Sequence, residues 1–164
     1  MELRGCSLSP NLHITPYDLI QDNVDITSET WHRILNPIIE QHDVIVFDNW
    51  YALSQTVEAG AQNIIWKKAF RWMKSWVSHK KTFILLHHST KMDGGMRGSS
   101  DMFNDCDTII QNIANPNAPP HLSIQCKFIK GRRIDQKYKA PFQLDLIEGE
   151  WTKGPLEPKA KGKL

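Results

Sequence analysis

Two short apolar runs, each followed directly by polar side chains, limit most strongly what this chain can fold into. The first covers residues 44–47 and is followed by Asp48; the second covers residues 82–86 and is followed by His87 and His88. Continuous apolar runs of this length are typical of strands in a parallel sheet that is covered on both faces. We therefore predict two neighbouring parallel strands whose polar ends meet at one edge of the sheet, where open α/β sheets bind ligands.

The segment between the two runs has the periodicity of an amphipathic helix. Its apolar positions are Ile65, Ala69, Trp72, Met73, Trp76 and Val77, and the cations Lys67, Lys68, Arg71 and Lys74 take the other side. A strand, a helix and a parallel strand together form a βαβ unit. Trp72 and Trp76 are predicted to be core residues and Trp66 to face the basic side, whereas Trp50, directly after the first run, is predicted to contact a site.

Further helix and strand patterns flank this unit. A helix precedes the first apolar run, with Ser28 as its predicted N-cap and Pro37 as a predicted kink or restart. We predict a third core strand over residues 107–113. Alternating residues over 122–128 and 142–146 predict an antiparallel hairpin with one polar, solvated face.

Length and charge set outer limits on the class of protein. The chain has 164 residues with 40% hydrophobic content, enough for one domain with its own core. We place that domain at residues 1–150, and residues 151–164, rich in Lys, Gly and Pro, are predicted to be a flexible basic tail or linker. The net charge of +2 is too near balance to indicate nucleic-acid binding, although the segment 130–139 alone carries five cations and one acid.

Cysteine usage and hydropathy indicate the compartment. Cys6, Cys106 and Cys126 are odd in number and lack the spacing of metal ligands, which favours a reducing environment. No apolar run approaches the roughly 18 residues of a membrane span, and no signal-peptide core follows Met1. We therefore expect a cytoplasmic protein.

A common phosphate-binding motif is missing from the sequence. No Gly-x-x-x-x-Gly-Lys-Ser/Thr occurs in the 164 residues. In that motif a glycine-rich loop surrounds nucleotide phosphates with backbone N–H groups. Any phosphate chemistry of this chain therefore lacks the usual loop or obtains it from elsewhere.

Four features in order carry a resemblance to a known family. They are Asp48 after four apolar residues, His87-His88 after the next run, Arg97-Gly98-Ser99-Ser100 before a short helix, and the basic hairpin. Together they resemble the C-terminal half of a RecA-like P-loop ATPase, over residues 10 to 147, and the hexameric replicative helicases of the plasmid RepA type in particular. The resemblance implies an α/β fold with a mostly parallel sheet, flanking helices and a C-terminal antiparallel hairpin, without the Walker A strand.

The resemblance also implies roles at the nucleotide. Asp48 matches the Walker B aspartate, which helps hold Mg²⁺ at the phosphates of ATP, with Asn49 beside it. His88 matches a sensor of the γ-phosphate. The plainer alternative for Asp48 is a strand-terminal cap for Asn49 and the following turn. For the two histidines the competing alternative is a zinc site, although no third ligand at suitable spacing supports zinc. For His87 a structural role is favoured.

Two further pairs of cations are assigned through the resemblance. The glycine-rich loop 91–97 corresponds to a DNA-binding loop, which would place Lys91 and Arg97 on single-stranded DNA in the channel of a ring; the alternative is a solvated loop. Lys130 and Arg132 match a pair that reaches the neighbouring subunit's γ-phosphate; the alternative is a basic surface. This chain departs from the family because Asp107 stands where an arginine finger is expected.

The resemblance leads to one expectation for the whole chain and one alternative. We expect the C-terminal half of a nucleic-acid-stimulated ATPase, which works as a homo-oligomeric ring and does not hydrolyse ATP by itself, either as a fragment, as a split gene product or as a subunit completed by its neighbour. The alternative is a non-catalytic RecA-like module that binds nucleic acid or another protein. A metal-dependent hydrolase is a distant third reading.

Overall fold

A computed structural model of the chain describes residues 9–16, 24–54, 62–88, 100–115 and 122–156. The chain divides into two compact units, residues 1–102 and 103–164. The first unit contains α1 (Glu29–Glu40), β1 (Val44–Phe47), α2 (Trp50–Leu53), α3 (Gln62–Val77) and β2 (Thr82–Leu85). Helix α4 (Ser100–Asp105) crosses the boundary, and β3 (Thr108–Ala114), β4 (Leu122–Gly131), β5 (Phe142–Ile147) and β6 (Glu150–Pro155) follow, with a 3₁₀ turn at Gln136–Tyr138.

Strands β1 and β2 lie side by side and run parallel. Val44 pairs with Thr82, and Phe47 pairs with Leu85. Main-chain hydrogen bonds extend the pairing beyond both ends of the ladder, since the N–H of Thr82 donates to Asp43 O at 2.8 Å and that of Leu86 to Phe47 O at 3.0 Å. The predicted strand, helix and parallel strand are therefore confirmed.

Helix α1 begins where the sequence predicts. The Ser28 hydroxyl accepts a hydrogen bond from Trp31 N at 3.2 Å, which satisfies one of the free N–H groups at the helix start. The helix continues through Pro37 to Glu40, so the predicted restart is wrong. Asn36 joins α1 to α3, because its Oδ1 accepts from Trp72 Nε1 at 2.9 Å and from Trp76 Nε1 at 3.1 Å.

The core of the first unit is built around α3. Trp66, Ala69 and Met73 are buried at positions i, i+3 and i+7. Trp66, predicted to face the basic side, is 1% exposed, and Trp50, predicted to contact a site, is 6% exposed. The two indoles pack edge to face with ring centroids 5.1 Å apart. Both predictions are wrong because Trp66 shares the buried stripe of α3 with Ala69 and Met73, and Trp50 packs against it from the start of α2.

The second unit is an antiparallel sheet in the order β3-β4-β5-β6. The predicted hairpin of β4 and β5 is confirmed, with Cys126 opposite Phe142 and Leu122 opposite Leu146. The predicted division into one buried and one solvated face is not realised in full, because Leu122 is 50% exposed whereas Ser123 is 3% exposed.

The end of the described chain differs from the flexible tail expected after residue 150. Residues 150–155 form β6, which pairs with β5 from Ile147 opposite Glu150 to Phe142 opposite Pro155. The two residues between the strands, Glu148 and Gly149, have φ angles of 51° and 91°, as in the tight turns that join antiparallel strands. A sheet partner next to it thus orders a segment whose composition alone indicates a linker. Residues 157–164 lie outside the described residues.

The fold class is mixed α/β, with a small parallel sheet and a four-stranded antiparallel sheet. The predicted third strand exists as β3, but it pairs antiparallel with β4. The described sheet structure is therefore not mostly parallel, since only β1 and β2 pair in that way. None of the described helices combines the length and the apolar character needed to cross a membrane.

Candidate functional site

The carboxyl ends of β1 and β2 bring together the residues predicted for the nucleotide site. Asp48 and Asn49 follow β1 directly, and Asn49 Nδ2 lies 3.2 Å from Nε2 of His88, which follows β2. The side chains of Asp48 and His88 are exposed. The peptide bond between Asp48 and Asn49 is cis. An amide and an imidazole therefore meet after the carboxyl ends of the two strands, and the exposed Asp48 directly precedes the amide in the chain.

Asn49 connects this edge to the next helix. Its Oδ1 accepts a hydrogen bond from Ala52 N at 3.1 Å, which caps the start of α2. The main-chain N–H of Trp50 donates to Leu86 O at 2.9 Å, so the ends of β1 and β2 are also tied by the backbone. The buried Trp50 side chain anchors the same turn in the core. These contacts fix the position of Asn49 relative to the ends of β1 and β2.

The contacts of Asn49 indicate which tautomer a neutral His88 adopts. Because Asn49 Oδ1 is the atom that faces Ala52 N, the Nδ2 amide group faces His88 and donates to its Nε2. A neutral His88 then carries its proton on Nδ1, which remains a hydrogen-bond donor.

The neighbouring histidine has a local contact. The Nδ1 atom of His87 lies 2.9 Å from His88 O, to which it donates as the Nδ1–H tautomer. The side chain of His87 is half-buried. This position suits the structural role favoured for His87 and leaves His88 as the exposed member of the pair.

The described residues do not form a multidentate metal site of the zinc type. Among them, no group of three or more His, Cys, Asp or Glu side chains is arranged to hold a metal ion. Mg²⁺ at phosphate-transfer sites requires fewer protein ligands, since it is held by one or two carboxylates together with substrate phosphates and water. One exposed carboxylate at a strand end, Asp48, fits that requirement.

Lys130 and Arg132 lie in the second unit, at the C-terminal end of α4. Lys130 Nζ donates to the carbonyl oxygens of Phe103 at 2.6 Å and Asn104 at 2.8 Å. Arg132 donates to the same Asn104 oxygen, and its Nη1 lies 3.5 Å from Asp107 Oδ1. Cations at this end of a helix satisfy free carbonyl groups and interact favourably with the helix dipole. Both side chains therefore have a structural role within their own unit.

The predicted DNA-contacting residues Lys91 and Arg97, with the glycine-rich loop that contains them, lie outside the described residues.

Of the three cysteines, Cys6 also lies outside the described residues. The two described cysteines are thiols, and burial raises the pKa of both Cys106 and Cys126 above its ordinary value, so neither has the character of a nucleophilic thiolate.

Comparison with known proteins gives no family. No protein-family model matches the chain, and no curated protein matches it in sequence. Function is therefore proposed from the geometry of the chain's own residues and from the resemblance that its sequence motifs carry.

One group of exposed residues has no role in the predictions made from the sequence. Around the 3₁₀ turn of the segment 130–139, Tyr138 is 66% exposed and follows the exposed Lys137. The sequence shows the positive charge of this segment, but the family resemblance gives a role only to Lys130 and Arg132. The signal that could have identified the turn is an aromatic residue between two lysines, a pattern typical of nucleic-acid-binding surfaces.

Proposed function

We propose that this chain supplies the Walker B and sensor side of a RecA-like nucleotide site in a nucleic-acid-stimulated ATPase, most specifically a ring DNA helicase. The observation that supports it is the contact between Asn49 and His88 at the carboxyl edge of the β1–β2 pair, directly after the exposed Asp48. Paired parallel strands with polar residues after both carboxyl ends are the common architecture of α/β nucleotide sites. The proposal rests on this geometry and on the family resemblance.

Each residue of the edge then has a chemical task. Asp48 is the ligand of Mg²⁺ or of its water shell, and Asn49 contributes polar contact beside it. His88, held by Asn49 through Nε2, offers its Nδ1–H to a phosphoryl oxygen and so responds to the presence of the γ-phosphate. Bound Mg²⁺ would offset the negative charge that develops on the phosphates during transfer.

The proposed site needs parts that these residues do not provide. No Walker A motif occurs in the 164 residues, so we propose that the phosphate-binding loop comes from another segment or another subunit. Lys91 and Arg97 are proposed to contact single-stranded DNA. The chain alone is then not expected to hydrolyse ATP, and the working form is a cytoplasmic homo-oligomer.

The second candidate is a non-catalytic RecA-like module that binds nucleic acid or protein. One observation favours it: Lys130 and Arg132, expected to reach a neighbouring nucleotide, are engaged with the end of α4. A cation that satisfies carbonyl groups in its own unit must release them before it can act on a neighbour. In this case Asp48 and His88 have no part in turnover.

The test is ATP hydrolysis by the complete gene product, with any sequence that its reading frame adds before Met1, with and without single-stranded DNA. We expect Asp48→Asn to abolish turnover. Asp43→Asn is the matched control, because Asp43 precedes the other end of β1 and its side chain is 98% exposed. Unchanged hydrolysis in Asp48→Asn would refute the Walker B role, and a complete gene product without ATPase activity would favour the non-catalytic module.

A further inference from the structure

The segment 130–139 concentrates positive charge in the second unit. It carries five cations and one acid, whereas the whole chain has a net charge of +2. Lys130 and Arg132 are engaged at the end of α4. The other three cations, Arg133, Lys137 and Lys139, lie on the connection that leads from β4 to β5.

The single acid of the segment shapes the turn and offsets little of this charge. Asp135 Oδ1 accepts a hydrogen bond from Lys137 N at 3.1 Å and so caps the 3₁₀ turn Gln136–Tyr138. Its Oδ2 lies 3.7 Å from Lys137 Nζ. An ion pair this exposed contributes little stability, so a phosphate group can compete for the same lysine.

Gly131 and Lys139 bring a third cation to the turn. A Cβ atom at residue 131 would lie only 3.1 Å from Lys139 Cε, so the absence of a side chain lets the lysine stem cross the end of β4. Lys139 is half-buried, as expected when an aliphatic stem lies on the protein and the ammonium group reaches solvent. Arg133 and Lys137 are exposed on the same connection.

Tyr138 adds an aromatic surface among these cations. Its side chain is 66% exposed, and Lys137 Nζ lies 4.8 Å from the ring centroid. Cations beside an exposed aromatic ring are the combination that binds single strands, since the cations neutralise phosphates and a base stacks on the ring. An acidic peptide or an anionic membrane would use the cations but has no base to stack on Tyr138.

We propose that the 133–139 turn is a binding surface for single-stranded nucleic acid, with Arg133, Lys137 and Lys139 on backbone phosphates and Tyr138 stacked on a base. This surface does not include Lys91 or Arg97. It does not depend on the proposed nucleotide site, because binding by the chain requires neither ATP nor the residues after β1 and β2.

The test is the fluorescence anisotropy of a labelled oligothymidylate of about 20 nucleotides, titrated with the chain between about 50 and 200 mM salt. The triple variant R133A/K137A/K139A is expected to lower affinity at least about tenfold and to reduce the slope of log affinity against log salt by about 2, at about 0.7 per lost phosphate contact on a single strand. Tyr138→Ala should lower affinity by about tenfold, whereas Tyr138→Phe keeps the ring and should retain binding.

A charge-matched control separates this surface from net charge. The triple variant K68A/R71A/K74A removes three exposed cations from α3 and should bind like the original chain. Absence of oligothymidylate binding at low salt, or equal losses in the two triple variants, would overturn the proposal. Equal affinity for duplex DNA, polyglutamate or anionic vesicles, without an effect of Tyr138→Ala, would also overturn it, since each would show attraction by charge alone.

Discussion

At the scale of single residues, the polar edge after β1 and β2 depends on one side chain with two partners. Asn49 caps α2 through its oxygen and holds His88 through its nitrogen. No other residue type provides an acceptor and a donor at these two positions with the same shape, since aspartate keeps only the acceptor. The two functions can therefore be separated by substitution.

Substitutions at Asn49 should separate its effect on stability, through the helix cap, from its hydrogen bond to His88. Asn49→Ala removes the cap and should lower the free energy of unfolding by about 1 kcal/mol. Asn49→Asp retains the cap and should change stability by only a few tenths of a kcal/mol, while it loses the donor to His88. Urea unfolding measures both, and His88→Ala is the control that removes the contact but leaves the cap. A loss in Asn49→Asp as large as in Asn49→Ala would contradict the capping role.

A second residue-scale prediction concerns His32. Its ring stacks on Trp72 with centroids 4.2 Å apart and its Nε2 lies 2.8 Å from Ile26 O. Burial, opposed by the Ile26 hydrogen bond and aided by the charge of Lys68, lowers the pKa of His32 below its ordinary 6.5. Between the lowered folded value and 6.5, the unfolded chain therefore binds a proton that the folded chain does not.

Stability linked to His32 should fall as the pH drops below 6.5 and should be unaffected above it. The measurement is the urea midpoint from about pH 5 to about pH 8 for the original chain and for His32→Phe, which keeps a stacking ring but cannot titrate. As the pH falls, the urea midpoint of His32→Phe should rise relative to that of the original chain. His79→Phe, at an exposed position, is the control, and a difference independent of pH would refute the assignment.

At the scale of elements, the sequence predicts what local periodicity determines. Parallel strands 44–47 and 82–85 follow from two apolar runs with a 3.6-residue pattern between them, and this also explains why Asn49 and His88 meet. The burial of Trp66 and Trp50 could not be predicted, because periodicity defines a stripe on α3 but not which element covers it. Likewise, the contacts of Lys130 depend on where α4 ends in three dimensions.

Strand β6 shows a local signal that composition concealed. Glu148 and Gly149 form a two-residue turn with positive φ at both positions, and Trp151 and Lys153 alternate with Thr152 after it. The turn aligns β6 on β5 regardless of the Lys, Gly and Pro that follow. Composition averages over the segment and so misses a turn defined by two residues.

The stability of the β5–β6 hairpin should be sensitive to substitution of the glycine in its turn and insensitive to substitution of the glycine in β6. Gly149 has φ 91°, which side chains rarely adopt, so Gly149→Ala should lower the free energy of unfolding by about 1 kcal/mol or more. Gly154, in β6, has no heavy atom within 4 Å of an added Cβ, so Gly154→Ala should be close to neutral. Urea denaturation measures the free energy of unfolding of the two variants. Equal losses of stability would mean that the effect arises from substitution within the hairpin in general and not from the turn.

At the scale of the whole molecule, one face of the β1–β2 pair is apolar and exposed. Val44, Val46, Ile84 and Leu86 are between 43% and 55% exposed. They alternate with less exposed residues, of which Phe47 and Phe83 contact Trp72 of α3. Parallel sheets are normally covered on both faces, and two strands alone form a marginal sheet. Exposed apolar surface of this kind favours association, which agrees with the proposed oligomer.

The last prediction is that association of the chain depends on this face. Sedimentation equilibrium of the purified chain should show mass that increases with concentration. The variant V46T/I84T should shift the chain toward the monomer, because threonine stays branched at Cβ but puts a hydroxyl in place of a methyl group of Val46 and of the ethyl group of Ile84. The control I129T/I147T changes two exposed residues of the second unit, 48% and 45% exposed, and should leave the mass unchanged. A chain that stays monomeric at high concentration would exclude this face as a self-association surface, whereas equal shifts in both variants would assign association to general hydrophobicity.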